Sequence, residues 1–387
     1  MPLPETIIPT GLRKGHFLER LNRFVILCSL GRRTVRAYLP NPGRLWELLL
    51  PGRTVYLERN PGGSSTAWTA VAVERDGNPV LLHTHRANDI VEGLLREGRV
   101  PGLETAGIVR REAAFGRSRF DFLLEKEGRP FILEVKSCTL FGTSIAMFPD
   151  AVTARGRRHL EELAELSDRG TACGVVFLVH SPRVRFFLPD YHTDFEFART
   201  FLKLRDRIFL RAIAVEWTGE LRLGPRVREL DIPWDLLRRE ARDGGSYLLI
   251  LTLEKDLTLT VGSLGGLSFR KGFYVYAGSA KMNLQKRIER HRRRKKTFHW
   301  HIYYLTACAD SVTPVPIRSS ENLEHDLAAS LKRISDGSVR GFGCSDCRCG
   351  IHLFRMATNP LHSPSFIDLL LRFRIDRLEG LLGEMRT

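Results

Sequence analysis

Long apolar runs are missing from this sequence. No stretch reaches the roughly 18 apolar residues that carry a helix across a bilayer, and residues 1–13 lack the apolar core of a secretory signal. No membrane partner is expected, and the cytoplasm is the expected location. Cysteine is scarce too: the seven are an odd number, and Cys28, Cys138, Cys173 and Cys308 stand apart among apolar neighbours, which argues against a disulfide framework. Internal repeats and low-complexity tracts are absent. Acid is also short, with 44 Asp and Glu against 60 Lys and Arg for a net charge of +16. Such a surplus argues for a polyanionic partner, nucleic acid first, although ribosome-associated and anionic-lipid-binding proteins share the same balance.

What is present is a globular mix of 43% hydrophobic and 27% charged residues over 387 positions, enough for two or three domains. Short β-rich runs at 23–28, 34–39, 54–57, 67–73 and 80–83, separated by Gly, Pro and Asn, read as a small β-barrel. A helical pattern with Ile90, Leu94 and Leu95 on one side comes next, then strand-like runs at 107–115, 119–124 and 131–137. An amphipathic helix at 152–166 and an apolar strand at 174–179 complete an α/β layer. Gly and Pro interrupt a charged segment at 217–245, where the junction between two halves is expected. Beyond it lie strands at 247–253, 257–261 and 272–277, helices at 284–293 and 323–334, and a tail at 366–382 that reads as one closing helix.

Chemistry concentrates first in a predicted hairpin whose turn centres on Glu127-Gly128. If the hairpin is symmetric about that point, Asp121 lies opposite Glu134, and period two puts Lys136 on the face of Glu134 while Leu133 and Val135 point away. Two nearby acids in an apolar setting repel each other unless a cation bridges them, and a divalent ion such as Mg²⁺ is the natural bridge. Such an ion polarises a phosphodiester and acidifies an attacking water. Lys136 could orient that water or stabilise charge developing on the phosphate. On geometry alone, an edge hairpin with solvated Glu and Lys fits as well.

The layout of Asp121 followed by Glu134-x-Lys136 resembles the PD-(D/E)XK nuclease core, with Glu112 as an additional acid. The segments Leu39-Pro-Asn-Pro-Gly-Arg-Leu45, Arg119-Phe-Asp-Phe122, Glu134-Val-Lys-Ser137 and Phe148-Pro-Asp-Ala-Val-Thr-Ala-Arg-Gly-Arg-Arg-His-Leu160 together resemble the sugar fermentation stimulation (SfsA) family over roughly residues 10–235. This resemblance implies a DNA-binding, OB-like barrel at 1–85 and a PD-(D/E)XK nuclease-like α/β domain at 86–235. It also implies a link to regulation of sugar metabolism, with Asp121 and Glu134 as ligands for Mg²⁺ or Mn²⁺. Asp150 stands just before the helix that follows the hairpin. Arg44, Arg155, Arg158 and His159 are the candidate phosphate contacts of this half; Arg155 and His159 lie one helical turn apart, and a solvated helix face is the alternative.

A second constellation follows the junction. Gly245-Ser-Tyr247 opens one strand, Tyr276-Ala-Gly278 closes another, Arg287 and His291 sit one turn apart on a helix, and Glu324 begins a further helix. Phosphodiester hydrolysis needs a metal ligand, a cation near the phosphate and a proton acceptor, roles open to Glu324, Arg287 and the Tyr or His residues. Ordinary strand packing fits the tyrosines equally. The set resembles the GIY-YIG nuclease core, and more closely an uncharacterised GIY-YIG-like family carrying Gly-Ser-Ala, Arg-His, Trp-His-Ile and Phe-Gly-x-Ser-Asp-Cys motifs, over about residues 245–357. The resemblance implies an α+β GIY-YIG-like domain at 236–387 in which Glu324 holds Mg²⁺; Tyr303 departs from it, standing where Asp is expected. Arg290, Arg292, Arg293, Arg294, Lys295 and Lys296 form a basic run suited to a nucleic-acid backbone. Cys344, Cys347, Cys349 and His352 have spacing compatible with Zn²⁺, although that family carries Ser in place of Cys344, and hydrogen-bonded thiols are the alternative.

The function expected is a DNA-binding, divalent-metal-dependent nuclease. A non-cleaving DNA-binding regulator is the alternative, and an RNA-processing or ribosome-associated protein is third. Clustered acids favour the enzyme, because a pure binder gains nothing from carboxylates that repel phosphate.

Overall fold

A computed structural model of the chain describes residues 11–293, 295, 297–343 and 350–385. It divides into two units: the first takes the chain up to Asp190, Glu196–Trp234 and the residues from Glu379, and the second takes Tyr191–Phe195 and Asp235–Leu378.

The first unit opens with β1 (Arg13–Asn22), β2 (Val25–Leu30), β3 (Arg33–Tyr38), β4 (Thr54–Arg59), β5 (Trp68–Arg75) and β6 (Asn78–Leu81). The first five pair in the order β3-β2-β1-β4-β5, and a parallel pairing of Ala37 with Trp68 closes them into a barrel. Alternation fills the inside: Phe17, Ile26, Cys28, Ala37, Val55 and Leu57 are buried. β1 escaped the sequence reading because its residues are mostly polar. Gly15 is needed there, since a Cβ at that position would stand 2.6 Å from the carbonyl oxygen of Ser29 on the neighbouring strand.

Helix α1 (Arg86–Arg96) packs Ile90, Val91, Leu94 and Leu95 onto the next sheet. That sheet starts with an antiparallel meander of β7 (Gly107–Phe115), β8 (Ser118–Lys126) and β9 (Arg129–Cys138). Glu127 and Gly128 form the β8–β9 turn with φ of 53° and 72°, the left-handed pair that suits a two-residue hairpin loop. Short strands β10 (Leu140–Phe141) and β11 (Ile145–Phe148) follow, then α2 (Ala154–Asp168), whose first turn is capped by Thr153 accepting from the N–H of Gly156 at 3.0 Å. The apolar strand β12 (Ala172–Val179) lies parallel to β9, β13 (Phe186–Pro189) pairs with β11, and α3 (Phe195–Lys203) leads into β14 (Phe209–Trp217) and β15 (Leu223–Glu229). The central order is β15-β14-β12-β9-β8-β7, so β9 sits inside a mixed sheet with helices on its faces. β15 draws part of the expected junction into this sheet.

The main stretch of the second unit begins in α4 (Trp234–Glu240). It continues through β16 (Gly245–Leu253), the hairpin β17 (Leu257–Thr260) and β18 (Gly266–Phe269), β19 (Gly272–Ala280), α5 (Leu284–Arg292), α6 (His301–Cys308) and β20 (Ser311–Arg318). After these come α7 (Glu324–Ile334), β21 (Gly337–Val339), β22 (Leu353–Met356), α8 (Pro364–Leu371) and α9 (Leu378–Glu384), the last mostly in the first unit. Its sheet is antiparallel in the order β20-β16-β19-β22-β21. β20 carries Pro314 and Pro316 and, among the described residues, pairs with β16 alone, the edge position where proline is tolerated. The single closing helix expected at 366–382 is corrected to two helices joined by a widened turn, Arg372–Asp376, in which the N–H of Arg377 reaches the carbonyl of Arg372 at 2.9 Å. Burial of Phe373, Arg374 and Ile375 within that turn accounts for the break.

Candidate metal and nucleic-acid site

In the first unit, the β8–β9 ladder runs from Lys126–Arg129 to Phe122–Leu133, on the index sum that was expected, and stops one step short of Asp121 and Glu134. Where the strands part, Asp121 uses its carboxylate instead of its backbone: Oδ2 accepts from the N–H of Val135 at 2.7 Å and Oδ1 from the amide of Asn88 at 2.7 Å. Burial and then the charge of Glu134 push Asp121 up to about 6.

Glu134 is only 3% exposed. Its Oε1 accepts from the ammonium of Lys136 and from Nδ1 of His159, the latter at 2.7 Å. Arg155 Nε donates to His159 Nε2 at 3.4 Å, which leaves the imidazole proton on Nδ1, facing Glu134. Burial raises Glu134, but Lys136 and His159 more than offset it and hold the carboxyl below its ordinary range. The other oxygen, Oε2, is buried without a hydrogen-bond partner among the described residues.

These groups line a cleft of about 400 Å³. One wall comes from the barrel: Arg23 and the loop Asn41-Pro42-Gly43. His85 and Asn88, at the start of α1, and the segment around Asp150 line the cleft as well. Asp150 ties the walls together, with Oδ2 accepting from the N–H of Leu45 at 3.2 Å, and burial raises its carboxyl. Gly43 lies so close that a Cβ there would be 2.2 Å from the Asp150 carboxylate. Arg20 fixes the barrel loop by donating to the carbonyls of Gly43 at 2.7 Å and Arg44 at 2.8 Å.

The expected site residues fall into distinct places. Asp121, Glu134, Lys136, Arg155 and His159 share the cleft. His159 is buried against Glu134, so it faces the acid and not outward. Arg158 is exposed and 3.8 Å from Glu162, and Arg44 stacks over Trp46 at 4.9 Å. Glu112 is exposed on β7, 3.9 Å from Arg119, and is not among the cleft residues. Asn88 and Arg23 were missed: nothing local in the sequence marks a helix amide or a barrel arginine that reaches this site only through tertiary packing.

The second unit gathers its own set around Tyr247, whose hydroxyl is 2.8 Å from His291 Nε2 and whose ring lies 6.4 Å from that of Tyr276. Burial pushes the Tyr247 hydroxyl well above its ordinary range against the pull of Arg287; Arg287 itself stacks over Trp300 at 5.6 Å. Tyr303, in place of the expected acid, packs edge-on against His291 at 5.3 Å. Glu324 accepts from Ser279 and stands 3.1 Å from Nδ1 of His352. Burial raises its carboxyl, but those two partners more than offset it and keep Glu324 below its ordinary range. His352, expected as a zinc ligand, is wholly buried and also 3.2 Å from the carbonyl of Ala277. Arg290, Arg292, Arg293 and Lys295 are exposed at and beyond the end of α5; Arg294, Lys296, Cys344, Cys347 and Cys349 lie outside the described residues.

The first unit's barrel and most of its central sheet have counterparts. Residues 18–82 match the SfsA N-terminal OB domain and residues 85–220 the sugar fermentation stimulation protein RE domain. A sugar fermentation stimulation protein homolog of Methanothermobacter thermautotrophicus is 36% identical over 234 residues, 97% of that protein and 55% of this chain. The chain belongs to the sugar fermentation stimulation protein family. A second member, from Pyrobaculum arsenaticum, is 38% identical over 204 residues, 87% of its length and 52% of this chain. The solved structure of Pyrococcus furiosus SfsA in complex with Ca²⁺ has a TM-score of 0.55 and 31% identity, covering 99% of that chain and 60% of this one. The family therefore accounts for the barrel and the central sheet, while residues 246–373 match a separate domain of unknown function, DUF123. No helix among the described residues is long and apolar enough to cross a membrane.

The SfsA-type cleft suits a divalent cation. A buried carboxylate oxygen with no partner among the described residues, Glu134 Oε2, stands beside a second carboxylate whose proton is held too tightly for an ordinary acid. Hard cations favour such oxygen donors.

Proposed function

We propose that this chain binds DNA and hydrolyses its phosphodiester bonds at the Asp121–Glu134–Lys136 cleft with a divalent cation, Mg²⁺ or Mn²⁺. The observation that carries this reading is Glu134, buried, held ionised by Lys136 and His159, and left with one oxygen unpaired among the described residues. Asp121 and Glu134 would hold the ion, whose bound form supplies Lewis acidity and an acidified water. Asn88 and the N–H of Val135 hold the Asp121 carboxylate in place, and His159 does the same for Glu134. Lys136 places a positive charge beside Glu134, where it stabilises negative charge gathering on a phosphate. Arg155 and Arg23 line the same cleft and supply contacts to the backbone.

The test is incubation of the purified chain with labelled single-stranded, duplex and branched DNA and RNA, with and without Mg²⁺ or Mn²⁺. Metal-dependent cleavage lost in Glu134→Ala supports the reading. Binding without cleavage of any substrate favours a DNA-binding regulator.

The second unit carries a further reading as a separate phosphodiester site. Its observation is the ionised Glu324 in the same unit as Tyr247, hydrogen-bonded to His291 and coupled to Arg287. Cleavage that survives Glu134→Ala and disappears on adding Arg287→Ala would assign it.

A further inference from the structure

Ser137 follows Lys136 at the end of β9 and lines the same cleft, yet it has no part in the metal site. It is the last member of a three-residue chain that begins in the core. Trp217, on β14, places Nε1 3.2 Å from Nδ1 of His180. An indole N–H only donates, so Nδ1 must be the acceptor. His180 is 1% exposed, and burial holds its imidazole down at about 3, so the ring is neutral with its one proton on Nε2. Nε2 lies 2.9 Å from Ser137 Oγ and donates to it.

The direction of this chain decides what Ser137 can do. Because His180 already donates, it cannot take the hydroxyl proton, and Ser137 is not a nucleophile activated by that imidazole. The hydroxyl has one proton of its own, which must point away from His180. Ser137 Oγ has no other hydrogen-bond partner among the described residues. Neutral buried polar groups are ordinarily satisfied, so a hydroxyl at a cleft wall with a directed, unspent proton is placed to meet a ligand acceptor.

We propose that Ser137 donates a hydrogen bond to a phosphate oxygen of the bound nucleic acid, with Trp217 and His180 as positioning residues that fix the direction of its proton. The proposal rests on the reading of the adjoining cleft as a phosphodiester site and adds a neutral donor to its charged groups.

The experiment uses the full chain. With labelled DNA and Mn²⁺, Ser137→Ala should lower kcat/KM by about tenfold to a hundredfold, and Ser137→Thr, which keeps the hydroxyl, should retain most of the rate. Trp217→Phe frees Nδ1 to carry the proton, so Nε2 turns acceptor, captures the hydroxyl and reproduces most of the Ser137→Ala loss. Nitrogen-15 NMR of the histidines should report the Nε2–H tautomer for His180 in the parent and its loss in Trp217→Phe. Should Trp217→Phe fail to fold, the Ala and Thr variants with the parent tautomer decide alone. Unchanged kinetics in Ser137→Ala, or an Nδ1–H tautomer in the parent, overturns the proposal. If the parent cleaves nothing, the nuclease reading fails and the donor is read from DNA affinity with Ca²⁺ present: a loss of about threefold to tenfold in Ser137→Ala supports it, and equal affinity overturns it.

Discussion

His159 and Glu134 meet at 2.7 Å with the imidazole proton directed at the carboxylate, and both side chains are buried. The histidine thus orients the acid without itself reaching solvent. His159→Ala should weaken divalent-cation affinity by about tenfold to a hundredfold, the range seen when a partner of a metal ligand is removed, while His159→Asn recovers part of it. Calorimetric titration with Mn²⁺ measures this, and parent-like affinity in the alanine variant would remove His159 from the site.

In an Arg287→Ala background, Glu134→Ala should abolish the remaining cleavage yet bind DNA as well as its parent or better, because it deletes negative charge that phosphate must approach. Asp121→Ala should behave alike. Lys136→Ala should cut cleavage by a factor of about a hundred or more with slightly weaker binding. Cleavage by the full chain that survives all three substitutions, and is insensitive to Arg287→Ala, rules out both sites.

Asp121 sets a pH dependence of stability. The unfolded chain loses this proton near a pH of about 3.9, but the folded cleft holds it up to about 6. Within that window the folded state carries the extra proton, so this contribution is complete at low pH and is lost as pH rises through about 6. The cost at neutral pH is on the order of 2–3 kcal/mol. Without divalent ions, Asp121→Asn should gain melting temperature relative to the parent between pH 4 and 7, and added Mn²⁺ should narrow the difference. A difference that does not change with pH would contradict the buried, coupled carboxyl.

Gly278 faces the ring of Tyr247, and a Cβ there would be 2.6 Å from it. Gly278→Ala should cost roughly 1–3 kcal/mol in urea unfolding, and the same change in a Tyr247→Ala background should cost less. Equal costs would mean that the two do not touch.

DNA affinity should fall steeply with salt and show little sequence preference, since arginines dominate the available contacts. Binding isotherms on unrelated duplexes between low and moderate salt measure it, and a salt-insensitive binder of one sequence would contradict it.

Much of the cleft's local arrangement was readable in the sequence because its determinants are local. Glu127-Gly128 fixes the turn, and the turn fixes the register that brings Asp121 toward Glu134. Alternation then assigns Lys136 its side. What stayed hidden depends on distance along the chain: Asn88 reaches Asp121 across 33 positions, and Asp150 reaches Leu45 across 105. The polar strand β1 was hidden for another reason, that a barrel strand needs few apolar residues when its neighbours supply the core. The turn at Arg372–Asp376 keeps helical spacing of apolar residues, so periodicity alone could not reveal it.

The five residues Tyr191–Phe195 belong to the second unit although stretches of the first flank them on both sides. His192 holds them there, accepting from the N–H of Arg318 at 2.9 Å and donating to the carbonyl of Arg374 at 2.8 Å. The first unit reciprocates late, with Glu379 meeting the hydroxyl of Ser144 at 2.5 Å. Each unit is therefore stitched from non-adjacent stretches, and a fragment cut at 235 would carry a gap where His192 belongs. On the ribosome, β14 and β15 emerge after a segment in which His192 must wait for Arg318, 126 positions downstream, to find its partner. Gene fusions that break this chain near 235 should yield aggregating pieces, whereas co-expressing the two should restore a soluble pair.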